Sequence, residues 1–238
     1  MSYKILAKFY DRLMSGYNYE KMSEYIINNV KGRRGLDIGC GSGRITINLA
    51  LSGLNMIGID KSNDMLNVAS SNARAKGAKI IFAEGDADAL VLSKSYDFIV
   101  ATCDVINYIN PININNFIKT VYNYLNPNGI FILDISSEYK LINIIGNNVF
   151  YEDYDDLTYI WDNHINDNSI DMDMVFFTLE KNNYIRNDEH HTQYIYKTDV
   201  LINLLKETGF NISEILDGEN FKSITETSNR ILIKAEKN

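Results

Sequence analysis

The sequence predicts an α/β fold: a doubly wound, mainly parallel sheet with helices on both faces. Three observations predict it. Short apolar runs alternate with amphipathic helical stretches between residues 35 and 135. A glycine-rich turn, Gly39-Cys40-Gly41-Ser42-Gly43, joins the first run to the first of those helices. An acidic residue (Asp37, Asp60, Asp86) stands at or near the end of each of the first three runs.

The elements follow in order. Ile5, Leu6, Phe9, Leu13 and Met14 recur at helical spacing, as do Met22, Tyr25, Ile26 and Val30, so residues 5–30 read as helices parted at Gly16. The period then changes. Residues 35–38 form a short buried strand, and residues 44–52 a helix that stops at Gly53. Residues 55–60 are a second strand, followed by a helix over 62–76 with Ser62 as N-cap. Residues 79–83 and 96–101 read as strands three and four. Residues 113–125 form a helix closed by the turn Asn126-Pro127-Asn128-Gly129, and 130–135 a fifth strand. Such alternation implies right-handed crossovers between parallel strands.

From about residue 147 the pattern differs. Residues 157–165, 170–179 and 184–196 read as strands joined by polar turns, an antiparallel insert. Ile170, Met172, Met174 and Phe176 lie on one face of it, Val175 and Phe177 on the other. A two-sided apolar sheet covers either its own domain or a second subunit, so a homodimer is one expectation. Helical spacing returns over 198–208 and stops at Gly209; strands follow at 210–216 and 230–235. The expected organisation is a helical lid over 1–34, a sheet domain over 35–146 and 198–238, and the β insert over 147–197.

With 238 residues and 45% hydrophobic content, the chain suits one domain carrying an insert. The net charge of −8 argues against a nucleic-acid partner, which needs a basic face, and the cluster Lys31, Arg33 and Arg34 reads as solvated surface. Cys40 and Cys103 stand too far apart in sequence for a disulfide framework and fit a reducing compartment. No apolar run reaches the roughly 18 residues of a membrane span, and Met1 is followed by Ser2, Tyr3 and Lys4 rather than by a leader. A cytoplasmic protein with no membrane contact is expected.

A glycine-rich turn between a strand and a helix lets backbone approach a ligand closely. The dinucleotide fingerprint requires a glycine where this chain has Arg44, and the Gly-Lys-Ser/Thr of a phosphate-binding loop is absent. Asp60 ends the second strand, where a carboxylate can accept both hydroxyls of a ribose. Asp86, in Glu84-Gly85-Asp86-Ala87, can accept from an exocyclic amino group such as that of adenine. All lie at the carboxyl edge of the sheet, where open α/β folds bind ligands.

Leu36-Asp37-Ile38-Gly39-Cys40-Gly41-Ser42-Gly43 resembles motif I of class I methyltransferases. Gly58-Ile59-Asp60-Lys61-Ser62 and Glu84-Gly85-Asp86-Ala87 resemble the next two motifs of that family, and Leu125-Asn126-Pro127-Asn128-Gly129 its Leu-Lys-Pro-Gly-Gly turn. The resemblance implies a Rossmann-like seven-stranded sheet ending in an antiparallel pair, and S-adenosyl-L-methionine as methyl donor. It implies a cofactor site of Asp37, Gly39, Cys40, Gly41, Gly43, Asp60, Lys61, Met65, Asp86, Ala87 and Cys103. Asp37 either touches the ligand or orients the turn, and the cysteines read as wall residues rather than nucleophiles. Tyr3, the run Ala7-Lys8-Phe9-Tyr10-Asp11-Arg12-Leu13 and the strand Glu189-His190-His191-Thr192-Gln193-Tyr194 are similar to small bacterial methyltransferases with a lid and a β insert. Sugar N-methyltransferases of antibiotic pathways share this layout, and their lid tyrosines place Tyr3 and Tyr10 over the cofactor.

Methyl transfer to a small-molecule amine or hydroxyl is therefore expected. Methylation of tRNA or a protein side chain, and non-catalytic cofactor binding, are the alternatives. The loop after strand four supplies Asp104, Asn107 and Tyr108 as candidate catalytic residues, and in the sugar enzymes a histidine stands where Tyr108 falls. No metal is expected. His190 and His191 are neighbours on a strand and point to opposite faces. Asp134-Ile135-Ser136 lacks the Asp-Asn pair of metal-dependent O-methyltransferases.

Overall fold

Two helices precede the sheet, α1 (Leu6–Leu13) and α2 (Tyr19–Asn29), the second capped by Asn18, whose side chain accepts from the Lys21 N–H. The computed structural model describes residues 5–238, so Tyr3 lies outside the described residues. The alternation then runs as expected: β1 (Arg34–Ile38), α3 (Arg44–Leu51), β2 (Asn55–Asp60), α4 (Asn63–Ala75), β3 (Ile81–Glu84), β4 (Tyr96–Ala101), α5 (Ile114–Tyr124) and β5 (Leu125–Ser136). β6 (Val149–Asp153), β7 (Leu157–Ile165), β8 (Ser169–Glu180) and β9 (Asn183–Tyr194) form a separate antiparallel sheet, after which α6 (Thr198–Thr208), β10 (Phe210–Asp217) and β11 (Arg230–Lys237) complete the chain.

The main sheet has seven strands in the order β10-β11-β5-β4-β1-β2-β3. β11 runs antiparallel to both neighbours and the remaining pairings are parallel. Alternate residues of the central strands feed two apolar layers. Phe98, Val100, Ile130 and Ile132 pack with Met22, Ile26 and Leu49 of α2 and α3. Ile99, Ala101, Phe131 and Leu133 pack with Phe117, Val121, Leu201 and Leu205 of α5 and α6. With both faces covered, the ligand-accessible part is the carboxyl edge.

Three local features depart from the sequence expectation. β3 begins at Ile81, two residues late, as a short edge strand. The turn expected at 126–129 is instead the irregular start of β5, with Asn128 at φ 59° and a register shift against β4. A π-helical turn (Lys140–Ile145) and β6 stand where no element was foreseen. The insert's inner face is covered by its own chain. Ile170 and Met172 pack on Leu141 and Ile145 of the π-helical turn, and Leu157 and Phe176 pack on Ile5 with α1 residues Leu6, Phe9 and Leu13.

Candidate active site

The turn after β1 is made of left-handed residues: Gly39, Gly41 and Gly43 have φ of 67°, 53° and 79°. Only glycine adopts these values at low cost. A Cβ on Gly39 would stand 2.3 Å from Val105 Cγ2, so its absence lets the loop after β4 close onto the turn. The Asp60 carboxylate at the end of β2 pins both sides: Oδ2 accepts from Gly41 N–H at 2.8 Å and Oδ1 from Ser62 N–H at 2.8 Å. The Lys61 N–H adds a third backbone donor to this carboxylate. Burial raises the Asp60 carboxyl, against the lowering effect of those N–H groups.

Asp86 accepts from Asp88 N–H at 3.0 Å and pairs with Lys61 at 2.7 Å. Ala87 opens the adjoining 3-10 turn, while Met65 is buried at the start of α4, its N–H bound to Ser62 Oγ. Cys40 N–H bonds Ile59 carbonyl, tying the ends of β1 and β2 together. Burial pushes both the Cys40 and the Cys103 thiols up, so neither is a ready thiolate.

Asp37 is buried at 2% exposure, its Oδ2 accepting from Thr46 Oγ1 at 2.5 Å. This geometry ties the turn to α3. Burial pushes the Asp37 carboxyl up to about 7, Thr46 opposing. The folded chain thus keeps a proton that the unfolded chain releases near pH 4, so this stabilisation is full at about pH 4 and lost as pH rises to about 7. Asp37→Asn keeps an acceptor for Thr46 and removes the titration. Relative to wild type, its melting temperature is expected to rise as pH goes from about 4 to about 7. Parallel pH profiles would show that Asp37 is not the titrating group.

Residues of α1 lie against this turn. Tyr10 lies 3.7 Å from the position a Cβ would take on Gly41. Asp11 accepts from Ser42 Oγ at 2.5 Å and from Asn72 Nδ2 at 3.2 Å. The first turn of the lid is held by the insert, where Glu189 Oε1 accepts from Ile5 N–H at 2.7 Å and from Leu6 N–H at 3.1 Å. Tyr10 of α1, the glycine turn and the residues just after β4 (Thr102, Cys103) line a narrow cleft with a cavity volume of about 20 Å³. Tyr19 and Arg44 line it as well, and neither was singled out from sequence as a site residue. Tyr19 Oη is buried with no hydrogen-bond partner among the described residues, and the Arg44 guanidinium lies 4.7 Å from its ring centroid. An orphaned buried hydroxyl beside a cation, above a glycine cradle, fits an anionic group such as a carboxylate.

Beside the cavity lies a buried polar network. Asp134, fully buried, accepts from Arg230 Nη1 at 2.7 Å, Asp104 N–H at 2.7 Å, Cys103 N–H at 3.2 Å and Tyr17 Oη at 3.2 Å. Cys103 and Asp104 are left-handed non-glycine residues, with φ of 60° and 56°. Each such residue costs on the order of 1 kcal/mol or more, and the charge-assisted bonds to Asp134 offset it. The Asp104 carboxylate is itself taken, by Arg230 Nη2 at 2.9 Å and Gln193 Nε2 at 2.7 Å. Burial pushes this carboxyl up, but Arg230 and Lys140 outweigh that and hold it below its ordinary range.

Asn107, a candidate for the reacting groups, is fully buried and acts as a clamp. It donates to Ser136 carbonyl at 3.3 Å and Tyr194 carbonyl at 3.0 Å, and accepts from Ser136 N–H at 2.9 Å. Its bonding capacity is spent on joining β5 to β9. Tyr108 ends the 3-10 turn after β4 and lies close enough to Tyr10 to act on it electrostatically. The Asp104 side chain is thus held by Arg230 and Gln193, and that of Asn107 by backbone of β5 and β9. Among the described residues, no group of three or more His, Cys, Asp or Glu is arranged to hold a metal, and no helix is long and apolar enough to cross a membrane.

Comparison with known proteins accords with this geometry. Residues 36–129 match a family described as a methyltransferase domain. YqeM of Bacillus subtilis (strain 168), named as a methyltransferase, is 31% identical over 244 residues, covering 100% of this chain and 98% of that one. The crystal structure of an S-adenosylmethionine-dependent methyltransferase from Clostridium acetobutylicum ATCC 824 superposes with a TM-score of 0.90 at 32% identity, covering 99% of both chains. A sugar N-methyltransferase from Streptoalloteichus sp ATCC 53650 shares the fold, with a TM-score of 0.77 at 14% identity over 95% of this chain and 91% of that one. The chain belongs to the class I S-adenosylmethionine-dependent methyltransferases.

Proposed function

We propose that this methyltransferase acts on a small molecule, at an amine or a hydroxyl. The observation that carries the reading is the closure of the site beyond the cofactor turn. There β9 reaches the loop after β4 through Gln193 and Asp104, at 2.7 Å, and holds the lid through Glu189. A folded nucleic acid would need an open basic face, and the chain's net charge is −8.

In this reading Asp60 accepts the ribose hydroxyls, and Asp86, held by Lys61, meets the adenine amino group. Gly39, Gly41 and Gly43 give the close approach, Tyr19 and Arg44 meet the methionine carboxylate, and Tyr10 covers it. Cys40, Met65, Ala87 and Cys103 are walls, and Asp37 orients the turn. When bound, S-adenosylmethionine supplies a methyl group already activated by the sulfonium charge. The chain's own residues then need only align the acceptor and exclude water.

Tyr108 is the group proposed to hold the acceptor. A phenol with a reference pKa of about 10 is a poor base near neutral pH, so its role is positioning. Tyr108→Phe is expected to lower turnover roughly ten- to a hundredfold while leaving cofactor affinity unchanged. Unchanged turnover would reduce Tyr108 to a wall residue. The acceptor class is tested by incubating the enzyme with methyl-labelled S-adenosylmethionine and fractions of an extract of the cells that make it. Label is expected in the small-molecule fraction; label confined to RNA or protein would overturn the reading.

A further inference from the structure

We propose that the acceptor carries an oxyanion, a carboxylate or a phosphate, and that Lys140 binds it; the assignment rests on the methyltransferase reading above. Lys140 opens the π-helical turn at the carboxyl end of β5, and such turns often mark functional sites. Its side chain is half-buried. The one hydrogen bond of its Nζ among the described residues goes to Ser136 Oγ, at 3.3 Å. The nearby carboxylates of Asp104 and Asp134 are occupied by Arg230. An ammonium has three donors, and a half-buried cation with a single hydroxyl partner has donors to offer a ligand. Burial lowers the Lys140 pKa and Arg230 adds to it, while Asp104, Asp134 and Glu219 pull the other way. A bound oxyanion would supply the counter-charge.

A second observation marks the same place as a ligand site. Gln193 is 4% exposed, and its Oε1 is buried with no hydrogen-bond partner among the described residues, while its Nε2 is held by Asp104. Asp104 links the two groups: Gln193 Nε2 donates to its Oδ2 at 2.7 Å, and Lys140 lies close enough to act on the same carboxylate. One short span thus offers cationic donors for an oxyanion and a fixed acceptor for an N–H or O–H. The chain's net charge of −8 gives anions no general attraction, so their capture needs a dedicated local cation.

The test uses full-length protein loaded with S-adenosylhomocysteine and titrated with inorganic phosphate or with acetate. The backbone amide signals of Ser136, Lys140, Gln193 and Tyr194 are followed by NMR. Saturable shifts in the millimolar range are expected. They should weaken at least about tenfold in Lys140→Gln and persist in Lys140→Arg, with S-adenosylhomocysteine affinity equal in all three proteins. The stronger of the two anions identifies the oxyanion. The absence of saturable shifts at these amides overturns the proposal. So does an unchanged titration in Lys140→Gln, including one accompanied by a lower melting temperature, which would make Lys140 a structural counter-charge. Failure of S-adenosylhomocysteine to bind the wild type would instead overturn the cofactor reading.

Discussion

Asp60→Ala is expected to weaken S-adenosylmethionine binding roughly 30- to 150-fold, the equivalent of about 2–3 kcal/mol for lost charge-assisted bonds. Two effects combine. The proposed ribose acceptors are removed, and the N–H groups of Gly41 and Ser62 lose the carboxylate that holds them at 2.8 Å. The second effect loosens the glycine turn itself. Asp60→Asn separates the two, because its amide keeps one acceptor oxygen and loses the charge; an intermediate affinity is expected. Titration calorimetry gives both values. Wild-type affinity in Asp60→Ala would remove the end of β2 from the site. Asp86→Ala is expected to lose less, since its carboxylate is partly exposed and already shared with Lys61.

Arg230→Met is expected to be the most destabilising single change. Arg230 is 5% exposed and spans two carboxylates, one guanidinium nitrogen on each, at 2.9 Å to Asp104 and 2.7 Å to Asp134. Removing it leaves those charges buried without their partner, at a cost of about 3–5 kcal/mol. For a chain of this size the melting temperature should fall on the order of 10 °C. Lysine cannot replace the fork, so Arg230→Lys should recover little. The pH dependence has a definite sign. Asp104 is held below its ordinary range, so its stabilisation is present above about pH 4 and lost as pH falls through the folded value. The deficit of Arg230→Met should therefore shrink on acidification, as the orphaned Asp104 carboxylate takes up a proton. Equal melting temperatures at neutral pH would show that solvent replaces the guanidinium.

The readable parts of this protein are those whose determinants lie close together in sequence. The β1–turn–α3 unit, the acidic ends of β2 and β3 and the strand–helix rhythm each leave a local pattern, and they locate the cofactor side of the site. Its other side is assembled from distant residues. Glu189 meets Ile5 across 184 positions, Gln193 meets Asp104 across 89, and Arg230 meets Asp134 across 96. Such pairs have no periodicity to betray them. Tyr19 sits on an amphipathic helix where a core aromatic would look the same. Asn107 shows the same limit: its bonds to Ser136 and Tyr194 join residues 29 and 87 positions away and leave no local pattern. The run Lys140–Ile145 is too short and too apolar to distinguish helix from strand, and only its packing on Ile170 and Met172 decides.

The central claim, that the glycine turn and Asp60 form an S-adenosylmethionine site rather than a dinucleotide site, is tested most directly by titrating the wild-type protein in a calorimeter with S-adenosylmethionine and, separately, with NAD. Saturable one-to-one binding of S-adenosylmethionine and no measurable heat with NAD are expected. Binding of NAD with no response to S-adenosylmethionine would contradict the account.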